Sequence, residues 1–332
     1  MSSETDKASV ATEQSRTSRQ RQNDSELLQD LLVKTSRTFA LAIPLLPDPT
    51  LREVTIAYLL FRIADTFEDA SVLWEKPQQI RALETFGDLL REPSAERARE
   101  LTREWQARPP SEHAGYLELL DRTPDVIAAF LELTPGAQQV VAHHTIRTAE
   151  GMASVVERTG LDGVLRLDSI PDLQSYCYIV AGIVGEMLTD LFLLERPSLE
   201  PIADYLRQRS VAFGEGLQLV NILKDSADDS VEGRNYLPYD IEREEVFDLA
   251  RQDLEAATEY TLAIQQAGGP DGLVLFTGLP VALAWATLDK VEKDGPGAKI
   301  GRVEVLAIHS RLKRAVAAGR QAIRVPRSRR TA

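Results

Sequence analysis

The sequence predicts an all-α protein built as a single domain. Apolar residues recur at helical spacing from Ser25 to about Arg324, and no convincing stretch alternates between apolar and polar residues as a strand does. Clusters of Pro and Gly interrupt this pattern, but none has the composition of a linker. We therefore expect about ten to thirteen helices in one bundle, spanning residues 26–324.

Helix boundaries are predicted wherever proline or glycine ends the apolar periodicity. Pro171 is suited to a first helical position, where its missing N–H costs nothing. In chain order, the predicted breaks lie at Pro44 to Pro49, Lys76-Pro77, Glu92-Pro93, Arg108-Pro109-Pro110, Thr134-Pro135-Gly136, Ile170-Pro171, Arg196-Pro197, Gly268-Gly269-Pro270 and Gly295-Pro296.

The composition limits the classes of function. With 332 residues, 43% of them hydrophobic, the chain is long enough for a sizeable core. Its formal net charge of −13 argues against a general nucleic-acid binder. The single cysteine, Cys177, excludes an intramolecular disulfide and fits a reducing, cytoplasmic setting. The four histidines include no His-x-x-x-His pair, so a zinc site is not expected.

The two ends of the chain differ from its middle. Residues 1–25 are rich in Ser, Thr, Gln and Glu and lack the hydrophobic stretch of a signal peptide, which predicts a disordered leader. Residues 325–332 are expected to form a basic tail, either simply solvated or weakly attached to an anionic membrane surface. No run of about 18 uninterrupted apolar residues occurs, so no transmembrane span is expected.

Two acidic stretches, Asp65–Asp69 and Asp225–Asp229, carry the most functional information. Each places carboxylates at i and i+4, which share one face of a helix. A single such pair is usually a solvated face or a cap, but both pairs here lie within apolar runs, beside Arg62 or Lys224. Two such helices facing one another could hold Mg²⁺ against a diphosphate, because Mg²⁺ prefers oxygen ligands. The polar stripes comprise Tyr58, Arg62, Asp65 and Asp69 on the first helix, and Gln218, Asn221, Asp225 and either Asp228 or Asp229 on the second.

The segment Tyr176–Phe192 is almost wholly apolar and contains Gly182 and Gly185. Glycine costs about 1 kcal/mol in a helix interior, so we expect something to approach the backbone closely there. Two interpretations are open: close packing of another helix, or the wall of a channel for a long hydrocarbon. At the start of the segment, Tyr176 and Tyr178 could present a hydroxyl or a π face to a cation.

Five stretches resemble, in the same order, motifs of the squalene and phytoene synthases, the head-to-head trans-isoprenyl diphosphate synthases. The resemblance extends from about Ser36 to Arg302 and so covers nearly the whole chain. Asp65-Thr66-Phe67-Glu68-Asp69 is similar to the squalene-synthase form of the first aspartate motif. The five stretches are Ser36–Phe39, Tyr58–Asp69, Tyr176–Gly185, Gln218–Asp229 with Gly233–Pro238, and Phe276–Pro280 with Ala284–Leu288.

This resemblance implies the all-α isoprenoid synthase fold, a single helical bundle around a central hydrophobic cavity, and a prenyltransferase activity. It further implies that two farnesyl diphosphates condense to presqualene diphosphate, which is then reduced to squalene with NADPH. Farnesyl diphosphate is thus the expected substrate, and Mg²⁺ and NADPH are the expected cofactors. The glycines of Gly297–Gly301 do not follow a predicted strand, so they do not indicate a Rossmann domain. NADPH would therefore bind without one.

The resemblance also implies roles for individual residues. Tyr176 would sit beside the allylic cation and steer a proton, Arg62 would neutralise the leaving diphosphate, and Phe276 would shield later cations from water. The Mg²⁺ ligands would be Asp65, Glu68, Asp69, Asp225, Asp228 and Asp229. The diphosphates would be bound by Ser36, Arg37, Tyr58, Arg62, Gln218, Asn221, Lys224 and Arg234. NADPH would be bound by Thr38, Asn221, Lys299 and Arg302.

Three positions depart from the family pattern. Ala70 stands where squalene synthases often carry another acid, Ile179 where a second tyrosine is common, and Gly301 where the animal enzymes have a basic residue that serves NADPH. The alternatives are a phytoene or dehydrosqualene synthase, an enzyme that stops at presqualene diphosphate or hydroxysqualene without hydride transfer, and a non-catalytic prenyl-lipid-binding protein. The C-terminal membrane anchor of the eukaryotic members is missing, so we expect a cytoplasmic protein with at most a transient membrane-surface contact.

Overall fold

The computed structural model describes residues 22–36, 38–160, 164–231, 236–238 and 241–324, with the backbone alone for 227–231. All regular secondary structure in these ranges is helical, which confirms the predicted all-α class. Residues 1–21 of the predicted leader lie outside the described residues, and residues 22–25 already belong to the first helix. The helical part of the chain therefore starts earlier than residue 26.

Fourteen α-helices are present in the described ranges, and one of them is a single turn of four residues. The division at Arg122 was not among the predicted breaks, because only Pro124 in the first turn of the following helix marks it. The helices are α1 (22–35), α2 (Phe39–Ala42), α3 (Thr50–Glu68), α4 (Lys76–Arg91), α5 (Ala95–Ala107), α6 (Ala114–Asp121), α7 (Thr123–Leu131), α8 (Pro135–Arg158), α9 (Ile170–Cys177), α10 (Ile183–Glu195), α11 (Ala203–Val231), α12 (Arg243–Gln266), α13 (Asp271–Asp294) and α14 (Arg302–Ala317).

Several helices begin where the sequence supplies a capping side chain. The hydroxyls of Ser94, Thr134 and Ser169 each accept a hydrogen bond from the backbone N–H three residues further on. These bonds satisfy N–H groups that have no partner within the helix. Pro135 and Pro171 lie in the first turns of α8 and α9, as the breaks predicted.

An aromatic cluster supports the C-terminal end of α3. Phe67 stacks on Trp74 with 5.8 Å between ring centroids, and its ring also meets Trp105 at 4.7 Å and Phe86 at 6.2 Å. All four side chains are buried. Because aromatic side chains bury large apolar areas, this cluster fixes the position of the first acidic stretch.

The helix α11 packs backbone against backbone on residues 181–185 at two glycines. A Cβ atom on Gly185 would lie 1.8 Å from the carbonyl oxygen of Ser210, and one on Gly214 would lie 2.0 Å from that of Ala181. Neither position has room for a side chain. Close helix packing therefore explains Gly185, and the alternative of a hydrocarbon channel wall is not needed at this residue.

A π-helical turn, Tyr178–Gly182, joins α9 to α10. The backbone N–H of Ile183 donates to the carbonyl of Tyr178, five residues earlier, which is the π pattern. The continuous helix Ile170–Glu195 and the helix Asp271–Asp294 are long and apolar enough to cross a bilayer. In their most apolar windows, 56% and 72% of residues are buried inside the bundle, as in core helices.

Candidate functional site

The first acidic stretch is built around Arg62 on α3. Its guanidinium lies 3.1 Å from the Asp65 carboxylate and between two aromatic rings, 5.7 Å from the centroid of Tyr58 and 5.6 Å from that of Tyr116. The Tyr58 hydroxyl donates to the carbonyl of Thr35 at 2.8 Å, which ties α3 to the end of α1. The predicted stripe of Tyr58, Arg62 and Asp65 is thus present, with Tyr116 of α6 as an added member.

Asp69 follows α3 rather than lying within it. The helix ends at Glu68, and Asp69 is the exposed first residue of a 3₁₀ turn, Asp69–Val72. The backbone N–H of Asp69 still donates to the carbonyl of Asp65, so the i,i+4 relationship is kept. The Gln79 side chain donates to the carbonyls of Phe67 and Glu68 at 3.0 and 2.7 Å, and so supports the last turn.

The Asp65 carboxylate occupies an environment that disfavours its charge. Burial raises its pKa to about 6, the Arg62 guanidinium opposes this rise, and the nearby charge of Asp69 adds to it. Burial is thus the main reason that the charged form of Asp65 is disfavoured, and the Arg62 guanidinium offsets it only in part. A bound divalent cation would supply further positive charge.

Tyr176 connects this acidic end to the segment that follows the second acidic stretch. Its ring is buried and stacks on that of Tyr236, with 4.9 Å between centroids and 19° between planes. The pKa of the Tyr176 hydroxyl is raised well above its usual value by burial, then by the charge of Glu68, by Tyr236 and by Asp69. The hydroxyl therefore stays protonated while it faces the carboxylates.

The second acidic stretch lies on the C-terminal half of α11. The Lys224 ammonium is 3.2 Å from the Asn221 side-chain oxygen and 3.0 Å from the Asp225 carboxylate. The backbone N–H of Gly297 donates to the carbonyl of Lys224 at 2.7 Å, which fixes the segment between α13 and α14 against this helix. Arg243 donates to the carbonyl of Leu223 at 2.8 Å. Gln218 is half-buried and lies one to two turns before Lys224.

The other predicted residues occupy varied places. The Ser36 hydroxyl accepts from the Phe39 N–H at 3.0 Å, and Thr38 is exposed beside it. Phe276 of α13 is fully buried and meets Phe192 of α10 edge to face, with 6.1 Å between centroids. Lys299 and Arg302 are exposed. Arg37, Arg234 and the side chains of Asp228 and Asp229 lie outside the described part of the chain.

The acidic residues that could hold Mg²⁺ offer only oxygen ligands, as this ion requires. They are Asp65, Glu68 and Asp69 from the first stretch and Asp225 from the second. Among the side chains that the structure describes, no three acidic, His or Cys groups are arranged to hold a metal ion. Mg²⁺ bound at a diphosphate commonly uses one or two carboxylates and completes its shell with water and phosphate oxygens. The oxygen donors and the neighbouring charges of Asp65 and Asp69 therefore fit this cation.

Tyr178 points away from Tyr176, toward α8. Its hydroxyl meets the Arg147 guanidinium in a short contact, and its ring centroid is 6.0 Å from that group. Arg147 also donates to the Glu186 carboxylate at 2.8 Å and meets the His144 ring, which contacts Asp190 at 3.0 Å. Of the two tyrosines, Tyr176 therefore lies at the candidate site and Tyr178 belongs to an ion-pair network between α8 and α10.

Two further buried carboxyl groups lie behind the site and were not predicted. Glu215 of α11 and Asp253 of α12 are both 8% exposed, and one Asp253 oxygen has no hydrogen-bond partner. Burial raises the pKa of each to about 7, and the charge of Asp253 adds to the rise for Glu215. Both also raise the pKa of the buried Cys177 thiol, after burial itself. The sequence offered one signal for Glu215, which is an acidic residue within the apolar run that precedes Gln218.

Comparison with known proteins points to one family. The family described as "Squalene/phytoene synthase" matches residues 32–254. The squalene synthase of Eremothecium gossypii is 31% identical over 222 residues, which cover 66% of this chain and 47% of that protein. Squalene synthase BSS of Botryococcus braunii is 33% identical over 209 residues, covering 62% and 41%. The chain therefore spans less than half the length of these curated relatives.

Two solved structures share the architecture. The complex of TcSQS with the ligand E5700 matches with a TM-score of 0.69 and 23% identity, covering 89% of this chain and 88% of that one. A dehydrosqualene synthase in complex with a ligand matches with a TM-score of 0.56 and 17% identity, covering 90% and 99%. At these identities the likeness shows the all-α fold of isoprenoid synthases.

Proposed function

This chain belongs to the squalene/phytoene synthase family, and from that membership we propose that it is a squalene synthase. It would join two farnesyl diphosphates head to head, through presqualene diphosphate, and reduce the product to squalene with NADPH. The observation that carries this proposal is Tyr176, which is buried between the acidic end of α3 and Tyr236, just beyond the second acidic stretch. The similarity to squalene synthases supports the choice of reaction within the family.

The diphosphate would be bound between the two acidic stretches. Arg62 presents a guanidinium that is held by Asp65 and two rings, and Lys224 presents an ammonium next to Asp225. Both cations would bind phosphate oxygens. Mg²⁺ held by Asp65, Glu68, Asp69 and the aspartates of the second stretch, Asp225, Asp228 and Asp229, would neutralise the charge of the departing pyrophosphate. Ser36, Arg37, Tyr58, Gln218, Asn221 and Arg234 complete the proposed polar wall.

Tyr176 would act through its protonated hydroxyl. Burial and the neighbouring carboxylates keep the proton on its oxygen, so it can donate a hydrogen bond to a leaving oxygen. Its ring, stacked on Tyr236, also presents a π face to positive charge that develops on the allyl group.

Phe276 would exclude water from the hydrocarbon end of the site. It is fully buried and packs against Phe192, so the α13 wall is apolar at this depth. A cationic intermediate there would be protected from capture by water.

The reductant would bind at the segment between α13 and α14. Gly297 fixes that segment to Lys224, beside Asp225, and the exposed Lys299 and Arg302 follow in the chain. Their positive charges suit the phosphates of NADPH, which would supply hydride for the second step. Thr38 and Asn221 are the other proposed contacts.

The test is incubation of the purified protein with labelled farnesyl diphosphate and Mg²⁺, with and without NADPH, followed by chromatography of hydrocarbons and phosphatase-treated products. Squalene that forms only with NADPH is the expected result. A thirty-carbon product that NADPH does not change would place the enzyme among dehydrosqualene or hydroxysqualene synthases. No turnover of farnesyl diphosphate would direct the test to geranylgeranyl diphosphate. Binding of both substrates without turnover of either would indicate a prenyl-lipid-binding protein.

A further inference from the structure

The helix α14 has a buried face and an unusual outer face. Ile308 and Leu312 are buried against the rest of the bundle. On the opposite side, Val303 is 83% exposed and Leu306 is 53% exposed. Helical spacing places the following residues on one outer face, with the apolar members first and the cations last. The outer face of α14 comprises Val303, Leu306, Ser310, Lys313, Arg314 and Ala317.

The charge of this part of the chain is opposite to that of the whole. Residues 302–324 contain six Lys and Arg against one acid, Glu304, while the whole chain has a formal net charge of −13. Helical spacing places Glu304 away from the outer face. Because charges are screened beyond about 10 Å in ordinary salt, the local positive charge decides what this surface attracts.

A cavity of about 490 Å³ opens beside α14. Its floor is apolar and includes Trp285, Ile308 and Ala322, and the arginines that line it are Arg311 and Arg320, joined by Arg324. Asp289 is the one acid among its lining residues. Because Ile308 also belongs to the buried face of α14, this cavity lies on the inner side of the helix and is separate from its outer face.

We propose that the outer face of α14 docks on a bilayer that contains anionic phospholipids. Val303 and Leu306 enter the interfacial region, and Lys313 and Arg314 lie at the level of the headgroups. Because the rest of the chain is net negative, an anionic surface attracts this face and not the remainder, so the protein binds in one orientation. This inference rests on exposure and charge and does not depend on the proposed reaction.

The test is flotation of the full chain with vesicles of phosphatidylcholine, with and without phosphatidylglycerol, at low and high salt. We expect binding to the anionic vesicles that high salt weakens. Lys313→Gln with Arg314→Gln should weaken binding about 25-fold, because each cation near such a surface contributes about fivefold. Val303→Ser with Leu306→Ser should weaken binding to the same vesicles at both salt concentrations.

Matched controls separate this surface from general effects. Val72→Ser changes a valine that is also 83% exposed but is distant from α14 in the sequence, just after the first acidic stretch. Arg99→Gln with Arg103→Gln removes two exposed cations from α5. Both controls should bind like the unchanged protein. A variant with Arg327, Arg329 and Arg330 changed to Gln tests the tail separately, and it should keep most of its binding.

Three results would overturn the proposal. They are equal binding to neutral and anionic vesicles, unchanged binding of both α14 variants, and loss of binding in the tail variant alone. Size-exclusion chromatography adds a fourth test, because a concentration-dependent dimer that the Val303 and Leu306 changes dissociate would assign this face to a second copy of the chain. Lack of prenyltransferase activity would contradict the proposed reaction and leave the vesicle result unaffected.

Discussion

The ring of Tyr176 lies flat against that of Tyr236, with 4.9 Å between centroids and 19° between planes. Tyr176 belongs to α9, and Tyr236 follows α11 and its acidic stretch. The carboxylates of Glu68 and Asp69 lie near enough to Tyr176 to raise its pKa. This pair therefore connects two parts of the candidate site that are far apart in the sequence.

Removal of the Tyr176 hydroxyl should impair turnover. We expect Tyr176→Phe to lower kcat about 100-fold or more, the usual scale for a positioned proton donor, with a smaller effect on KM. Tyr178→Phe is the matched control two residues away, because its hydroxyl faces Arg147. Steady-state kinetics with farnesyl diphosphate measure both variants. Equal rates for Tyr176→Phe and Tyr178→Phe would remove Tyr176 from the mechanism.

Loss of the Tyr116 ring should weaken substrate binding through Arg62. The Arg62 guanidinium lies over this ring, and such contacts contribute about 0.5–2 kcal/mol. Tyr116→Leu should therefore raise KM about 2- to 30-fold, whereas Tyr116→Phe should stay near the unchanged value because it keeps the ring. An increase in KM of the same size in Tyr116→Phe would show that the hydroxyl, and not the ring, is needed.

Neutralising one proposed metal ligand should change the Mg²⁺ requirement. Asp225→Asn and Asp65→Asn each remove a carboxylate charge at nearly constant shape, and we expect a Mg²⁺ titration of activity to shift at least about tenfold to higher concentration. Glu132→Gln, which changes an exposed carboxylate paired with Arg52, is the control. An unaltered Mg²⁺ titration in both aspartate variants would exclude these two residues as ligands.

The buried carboxyls Glu215 and Asp253 should make the protein less stable as pH rises. Their folded-state pKa values of about 7 lie above the ordinary values of 4.5 and 3.8, so the folded protein binds more protons between about pH 4 and pH 7. The stabilisation is fully present below the ordinary pKa values and is lost as pH rises through about 7. Asp253→Asn removes one of these groups and should reduce the loss.

Urea unfolding at about pH 5 and about pH 8 measures this effect. Above pH 7, Asp253→Asn should be more stable than the unchanged protein by up to about 4 kcal/mol, since one pKa unit corresponds to about 1.4 kcal/mol. Asp248→Asn removes an exposed acid from the same helix and serves as the control. Parallel pH profiles for the unchanged protein and Asp253→Asn would contradict the prediction.

A methyl group at Gly214 should disrupt the packing of α11 on the π turn that precedes α10. It would lie 2.0 Å from the carbonyl oxygen of Ala181, so one backbone must move, and overpacking of this kind costs about 1–3 kcal/mol or more. Gly87→Ala in α4 is the matched control, because its nearest contact is an ordinary 3.5 Å from the Arg91 side chain. That control should be neutral or stabilising by up to about 1 kcal/mol. Thermal unfolding of both variants gives the comparison.

The sequence predicts best those features that depend on local spacing. The i,i+3 and i,i+4 stripe of Tyr58, Arg62 and Asp65 needs only a helix, and the structure shows it. The resemblance assigned Tyr176 to the site from a motif, which is also a short local pattern. The capped starts of α8 and α9 follow from Thr134 and Ser169 with the prolines after them.

Features that depend on distant segments could not be predicted in this way. Tyr116 reaches Arg62 from another helix, and the charge of Asp253 on α12 acts on Glu215 of α11, so no spacing in the sequence indicates either interaction. The glycines of the Tyr176–Phe192 segment allowed two interpretations, because glycine indicates a close approach without naming the partner. Only the position of Ser210 opposite Gly185 decides between them.

The π turn at Tyr178–Gly182 determines which residues of the following helix, α10, face α11. Regular α-helix over the same number of residues would rotate everything after the turn by about 100°. A residue with a side chain would then replace Gly185 opposite Ser210, where a Cβ has no room. Deletion of one residue within the turn would restore regular helix and keep both flanking faces in place. The helix should therefore tolerate a one-residue deletion within the π turn better than a one-residue insertion in the regular helix on either side.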